Sequence, residues 1–153
     1  MKKICALLVS VILLVTSFAL AGCGNDKTKE FYDLVSDSQE YLDELADTIY
    51  SNWYDAIYDD AYGGDIDLAI YFAQSELEYE ISVLESNDSK IAELYKKARE
   101  GKYEYEVKSV MTAYTNYYEF VVNVSGSFKT FSAEKETYKK QLASALHALE
   151  MEL

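Results

Sequence analysis

The sequence predicts an all-α protein, an antiparallel bundle of three or four helices that follows an N-terminal signal peptide. The 153 residues include no proline and only six glycines, whereas an all-β fold needs turn residues at short intervals. Apolar residues recur at alternating steps of three and four, which is the spacing of a helix that buries one face. Half of the residues are hydrophobic, enough for the packed core of about one domain and too many for a disordered chain.

The N-terminus has the pattern of a targeting segment. Met1 and two lysines precede residues 4–21, eighteen positions without a charged side chain. A basic start, a short apolar stretch and small residues at its end are typical of a secretory signal. A membrane-spanning helix needs about 20 apolar residues, so length alone leaves a signal-anchor helix as the alternative.

The residues Leu20-Ala21-Gly22-Cys23 resemble the lipobox of bacterial lipoproteins. In that family the cysteine thiol receives a diacylglyceryl group, and a dedicated signal peptidase then cuts just before the cysteine. The resemblance implies that residues 1–22 form the signal peptide, that Leu20, Ala21 and Gly22 are recognised by the peptidase, and that Cys23 is the lipidated first residue of the mature chain. Acyl chains such as palmitate would hold the protein on the extracytoplasmic face of the cell membrane. Whether the host has one membrane or two stays open.

The mature chain is strongly acidic. Residues 23–28 are predicted to form a short lipidated tether, and residues 29–153 the helical bundle domain. Without residues 1–22 the chain has 27 acidic and 12 basic residues, a formal charge of −15. This acidity argues against nucleic acid as a partner, because phosphate binding uses clustered Lys and Arg. The acids either keep the protein soluble or attract cations or a basic partner.

Residues 29–62 are predicted to form one long helix, which Gly63-Gly64 ends, and Asp65 is expected to cap the next helix. The second stretch, residues 65–100, keeps a seven-residue period through Asn87-Asp88-Ser89, so it is predicted to be one helix with a bend near residue 88. The predicted buried seams consist of Phe31, Val35, Ser38, Leu42, Leu45, Ile49, Asn52 and Ala56 in the first helix, and Ile70, Ala73, Leu77, Leu84, Ile91, Leu94 and Ala98 in the second.

The second half of the chain is predicted to form two shorter helices. The apolar phase shifts by half a turn between Ala98 and Val107, which favours a break near Gly101-Lys102. Ser125-Gly126-Ser127 is expected to be a turn, and Ser132 to cap a last helix that buries leucines. In the rival three-helix interpretation, Gly101 is only a kink. The leucines expected on the buried side are Leu142, Leu146 and Leu149.

A second resemblance concerns the turn before the last helix. Asn123-Val124-Ser125-Gly126-Ser127-Phe128, followed by Phe131-Ser132, is similar to a turn in small all-helical lipoproteins of Gram-positive bacteria that have no assigned function. Those proteins often carry proline where Val124 stands here. The resemblance implies a fold and a location but no activity.

Tyrosine is the most unusual feature of the composition, with fifteen residues. Tyr50, Tyr54, Tyr58 and Tyr62 are spaced by four along the first helix, with Trp53 beside them, and Tyr114, Tyr117 and Tyr118 form a second group. One interpretation is packing, because Tyr can bury its ring and keep its hydroxyl in water. The other is a binding face that stacks on sugars, peptides or a partner protein.

Few residues indicate chemistry. Asp59, Asp60, Asp65 and Asp67 are a weak candidate for a calcium site, but they lack the spacing of an EF-hand loop. His147, the one histidine, is expected to face solvent. We therefore predict no catalytic residue and no cofactor, and regard a hydrolase as the least favoured class.

The sequence favours a membrane-anchored extracytoplasmic binding module, with an envelope protein as its expected partner. The alternative is a ligand-binding accessory subunit of a transporter or envelope complex that uses the tyrosine-rich face.

Overall fold

The computed structural model describes residues 26–153, and in this part of the chain it is all-helical, without strands, which confirms the predicted fold class. The predicted signal peptide and Cys23 lie outside the described residues. The elements are α1 (Lys2–Tyr58), a 3₁₀ turn (Ala61–Gly64), α2 (Ile66–Glu76), α3 (Glu78–Ala98), α4 (Glu104–Val122) and α5 (Phe128–Glu150).

The helices run alternately up and down around α1, as short connections favour. The α2–α3 pair descends along α1, since Asn52 donates to the carbonyl of Ala69 while Phe31, near the start of the described part of α1, packs against Tyr95. α4 then rises, and α5 descends beside it. The described α-helices thus form a four-membered bundle in which α2 and α3 together occupy one position.

The seam predicted along α1 is the centre of the core. Its apolar members are buried, and Ser38 is buried with them. Fully buried residues of α3, α4 and α5 meet this seam, namely Leu84, Ile91, Val107, Val110, Tyr114, Tyr117, Val121, Phe131, Leu142 and Leu149. Burial of Leu142, Leu146 and Leu149 confirms the predicted inner face of the last helix.

The first helix ends earlier than predicted. α1 stops at Tyr58, and Asp60 and Tyr62 then adopt left-handed backbone angles (φ 54° and 55°) before Gly63 (φ 64°). Left-handed residues cannot continue a right-handed helix. α1 therefore ends before the glycine pair, and the chain reverses direction over the 3₁₀ turn that includes Gly63 and Gly64. The side chain of Asp65 accepts a hydrogen bond from the Leu68 amide at 3.0 Å, which confirms it as the cap of α2.

The prediction of one helix over residues 65–100 is wrong, because a break at Leu77 divides it into α2 and α3, and no break occurs near residue 88. Asn87, expected to mark the bend, is instead a buried part of α3. Its amide donates to the hydroxyl of Ser38 at 3.1 Å, and that hydroxyl donates to the Leu34 carbonyl. A paired polar side chain can stay inside a helix bundle, so Asn87 joins α3 to α1 and does not interrupt the helix.

The break near Gly101 is confirmed, and the three-helix alternative is wrong, since α3 ends at Ala98 and α4 begins at Glu104. The predicted cap of the last helix is also wrong. α5 begins at Phe128, and its N-cap is Ser127, whose hydroxyl accepts a hydrogen bond from the Thr130 amide. Ser132 lies inside the helix, where its hydroxyl donates to the Phe128 carbonyl. The added turn brings Phe128 and Phe131 against α1.

At the start of the described region, α1 already includes residues 26–28, and Thr28, which ends the predicted tether, is buried. None of the helices within residues 26–153 is long and apolar enough to cross a membrane.

Candidate interaction surface

Exposed apolar side chains are concentrated at one end of the bundle, which we call the aromatic end. It comprises residues 54–72 and the start of α5 at Phe128. Seven of the eleven exposed large hydrophobic side chains of the described region lie here: Tyr54, Ile57, Tyr58, Ile66, Leu68, Tyr71 and Phe72. Tyr58 is thirty helical residues from Thr28, or about 45 Å at 1.5 Å per residue. The aromatic end is therefore remote from the N-terminal end of the bundle.

The inner layer of this end is core. Trp53 is 4% exposed and packs with its ring centroid 5.5 Å from that of Phe131 and 5.9 Å from that of Phe128. Phe120 of α4 stacks on Phe131 from the other side at 4.8 Å. The Trp53 ring predicted to belong to a binding face is thus a structural element beneath that face.

The outer layer is a cluster of accessible rings. Tyr54 and Tyr58 are 41% and 62% exposed, with centroids 4.6 Å apart, and both lie within about 6.3 Å of the Phe128 ring. Tyr50, one turn earlier, is half-buried, because Phe128 stacks on it at 5.2 Å and the ammonium of Lys135 lies 4.6 Å from its centroid. The accessible part of the predicted stripe is therefore Tyr54 and Tyr58.

Tyr62 departs from this stripe. Because α1 ends at Tyr58, the left-handed turn carries Tyr62 to α2, where it stacks on Phe72 at 5.6 Å, and Phe72 in turn contacts Tyr71 at 5.9 Å. Tyr71, Phe72 and Phe128 belong to the aromatic end but not to the predicted site. A spacing rule within one helix cannot find them, since they come from two other helices.

A cleft of about 570 Å³ separates the two connections at this end. It lies between the start of α2, with Asp65 and Asp67, and the turn at Ser125-Gly126, and Trp53 is part of its lining. The indole nitrogen of Trp53 is buried without a hydrogen-bond partner. The cleft thus combines carboxylates with an aromatic floor.

The α1–α2 part of the aromatic end is acidic, whereas Lys129 follows Phe128 at the start of α5. Residues 30–89 include seventeen Asp and Glu and no Lys or Arg. Asp55, Asp59, Asp60, Asp65 and Asp67 lie among the exposed rings along the chain. A surface with charges of one sign attracts partners of the opposite sign and repels like-charged ones.

The four acids named as a weak calcium candidate do not converge. Within residues 26–153, no three Asp, Glu, His or Cys side chains are gathered so that they could hold a metal ion. Asp65 is engaged as the cap of α2. His147 is exposed, as predicted, and lies 3.6 Å from Glu150 on the same helix.

The second tyrosine group belongs to the core. Tyr114 and Tyr117 are fully buried, and the Tyr117 hydroxyl donates to a carboxylate oxygen of Asp43 at 2.8 Å. Lys139 lies 3.0 Å from the other oxygen of that carboxylate, so three helices meet in one polar contact. Burial raises the pKa of Tyr114 and of Tyr117 well above the usual value, and the charge of Asp43 adds to the effect at Tyr117.

Comparison with known proteins finds no match, either among family models or among curated proteins and solved structures. Function is therefore inferred from the residues of this chain alone.

Proposed function

We infer that this chain is a lipid-anchored extracytoplasmic lipoprotein whose aromatic end binds a basic protein surface of the cell envelope. Its role is binding and not catalysis. The anchoring part of the proposal is supported by the lipobox pattern, with Cys23 as the acylated residue. The observation that supports the binding part is the exposed pair Tyr54 and Tyr58, which packs on the half-buried Phe128 at the end of the bundle remote from Thr28.

Exposed rings are favoured at interfaces for two reasons. Tyr and Phe bury a large area on binding while losing little conformational freedom, and Tyr keeps a hydroxyl that can bond to the partner. Single exposed apolar residues are ordinary on a protein surface, but a contiguous patch indicates an interaction site. Here two groups of rings lie at the same end, one formed by α1 and the start of α5 and the other by Tyr62 and α2.

Charge decides the kind of partner. The rings are interspersed with carboxylates, and residues 30–89 contain no basic side chain. A partner surface with Lys and Arg would gain from these charges and could place its cations over the tyrosine faces. An acidic partner would be repelled.

The anchoring proposal is tested by mass spectrometry of the protein made from its own gene in a bacterial host. We expect a mature chain that begins at a diacylated Cys23, and a Cys23→Ser variant that is released from the membrane fraction. An unmodified Cys23 with residues 1–22 still attached would contradict the proposal.

The binding proposal is tested by photocrosslinking on intact cells. A benzoylphenylalanine in place of Tyr58 should capture an envelope protein through a Lys- and Arg-rich segment, and capture should fall at high salt. The matched control is the same substitution at Tyr105, which is 80% exposed but lies on α4 away from the aromatic end. Equal capture at both positions, or capture through an acidic segment, would overturn the binding proposal.

A further inference from the structure

The connection between α3 and α4 forms a basic turn at the opposite end of the bundle. We use this name for residues 96–102, which include Lys96, Lys97, Arg99 and Lys102 but only one acid, Glu100. All four basic side chains are exposed, and none forms an ion pair with any residue in the described part of the chain. Lys102 lies over the ring of Tyr103, and Arg99 over the ring of Tyr95.

The basic turn lies next to the start of the described chain. A methyl group added at Gly101 would come within 3.8 Å of the Thr28 hydroxyl oxygen, so the turn and α1 are in close contact there. Thr28 is five residues from Cys23, and five residues span at most about 18 Å when fully extended. A membrane that holds Cys23 would therefore be within reach of the basic turn.

Acids at the same end are partly neutralised by their own helix neighbours. Glu30 pairs with Lys27, Asp33 with Lys29, and Glu104 with Lys108 at N–O distances of 2.5–2.7 Å. The lysine beside Glu104 lowers the pKa of that carboxyl. The unpaired basic side chains of the turn are not balanced in this way.

Helix polarity alone does not account for the basic turn. The helix macrodipole favours basic residues at every C-terminus. Yet α3 is the one helix of the described region with lysines in its last turn, whereas α1 and α4, which end at or near the aromatic end, have none. α5 ends at the same end as α3 but has only His147 in its last turn, so the cluster of basic side chains is particular to the α3–α4 connection.

We propose that the basic turn rests on anionic lipid headgroups beside the acylated Cys23. The proposal depends on the lipid anchoring proposed above. Each basic side chain near an anionic bilayer strengthens the attraction about fivefold, and the effect fades within a Debye length of about 8 Å. The acidic remainder of the bundle is repelled by the same headgroups, so the aromatic end points away from the membrane.

The test compares lysine labelling of the full acylated protein in two kinds of vesicle, one containing phosphatidylglycerol and one of phosphatidylcholine alone. The probe is a membrane-impermeant, negatively charged amine reagent, and each lysine is followed by mass spectrometry. Lys96, Lys97 and Lys102 should label about threefold more slowly on the phosphatidylglycerol vesicles, because a negative bilayer surface depletes an anionic reagent and keeps nearby amines protonated. Lys129 and Lys140, exposed on α5, are internal controls whose rates should not change.

Two charge-reversal variants sharpen the test. By protection we mean the slower labelling on phosphatidylglycerol vesicles than on phosphatidylcholine vesicles. In Lys96→Glu/Lys97→Glu the protection of Lys102 should disappear, whereas in Lys129→Glu/Lys140→Glu it should persist. At about 1 M salt, where the Debye length is about 3 Å, protection should also be lost in the native chain and in Lys129→Glu/Lys140→Glu.

Equal labelling rates in the two vesicles, with the protein still anchored, would overturn the membrane contact and leave the anchoring proposal intact. Protein that does not float with vesicles of either kind would instead refute the anchoring. Protection on both kinds of vesicle would show that the turn is covered without any preference for anionic lipid, which also overturns the proposal.

Discussion

The two ends of the bundle differ in charge, in aromatic content and in how they relate to the helices that form them. The aromatic end exposes rings among carboxylates, while the basic turn exposes unpaired lysines and an arginine. The acids follow the C-terminus of α1 at Asp59 and Asp60, where the macrodipole disfavours them. The bases at the end of α3 are in the favoured place. Acids at the aromatic end are therefore of two kinds, since Asp59 and Asp60 oppose the dipole of α1 whereas Asp65 and Asp67 favour the start of α2.

Within the aromatic end, the largest effect should separate the inner layer from the outer one. Phe131→Ala should cost about 4 kcal/mol of unfolding free energy, because it removes a fully buried ring between Trp53 and Phe120. Tyr58→Ala should cost less than about 1 kcal/mol, since most of that side chain is in water. Urea denaturation of both variants measures the difference. Similar losses would mean that the outer rings are structural.

Two matched substitutions in the middle of the bundle should differ in their effect on stability. Tyr117→Phe loses the hydrogen bond to Asp43 and should cost about 1.5 kcal/mol. Tyr114→Phe removes a buried hydroxyl that has no hydrogen-bond partner, so stability should stay constant or rise by up to about 1 kcal/mol. Thermal unfolding of the two variants is the measurement, and a large loss for Tyr114→Phe would contradict the assigned contacts.

The raised pKa values of Tyr114 and Tyr117 predict that the protein loses stability at alkaline pH. Their pKa values are raised in the folded protein by burial, whereas in the unfolded chain they ionise near pH 10.0. Above that pH the folded state retains protons that the unfolded state releases, so stability falls as the pH rises. Melting temperatures between pH 9 and 11 should show a steeper decline for the native chain than for a Tyr114→Phe/Tyr117→Phe protein. Parallel declines would argue against the burial of both hydroxyls.

The smallest effects test the charge contrast between the ends directly. Asp59→Asn removes a charge that the C-terminus of α1 disfavours and should stabilise the protein by about 0.3–0.5 kcal/mol. Lys97→Gln removes a favourable charge from the last turn of α3 and should destabilise it by a similar amount. Both changes should shrink in high salt. The contrast fails if both substitutions shift stability in the same direction.

Much of the fold could be predicted from periodicity. The seam from Phe31 to Ala56, the break near Gly101 and the buried leucines of the last helix follow from one-dimensional spacing, because a helix repeats its buried face at fixed intervals. The breaks at Tyr58 and Leu77 could not be predicted in this way. The polar run Asn87-Asp88-Ser89 is typical of a bend, but Asn87 lies inside α3, where it is hydrogen-bonded to Ser38, forty-nine residues away.

Only part of the candidate surface could be predicted from the spacing of residues along the chain. The spacing of Tyr54 and Tyr58 placed them on one face, but it also placed Trp53 and Tyr62 with them. Trp53 is covered by Phe131, and Tyr62 is turned towards Phe72 by the left-handed backbone. Contacts between distant segments decide which ring of a periodic series stays in water.

The sequence by itself determined the all-helical class, the buried seams and the absence of basic residues from 30 to 89, because each is a property of neighbouring residues along the chain. Only the tertiary structure decided that rings of α1, α2 and α5 lie at one end of the bundle while the α3–α4 connection lies beside Thr28 at the other. Antiparallel packing brings together residues that are far apart in sequence. A local sequence pattern does not predict which helix ends will lie at the same end of the bundle.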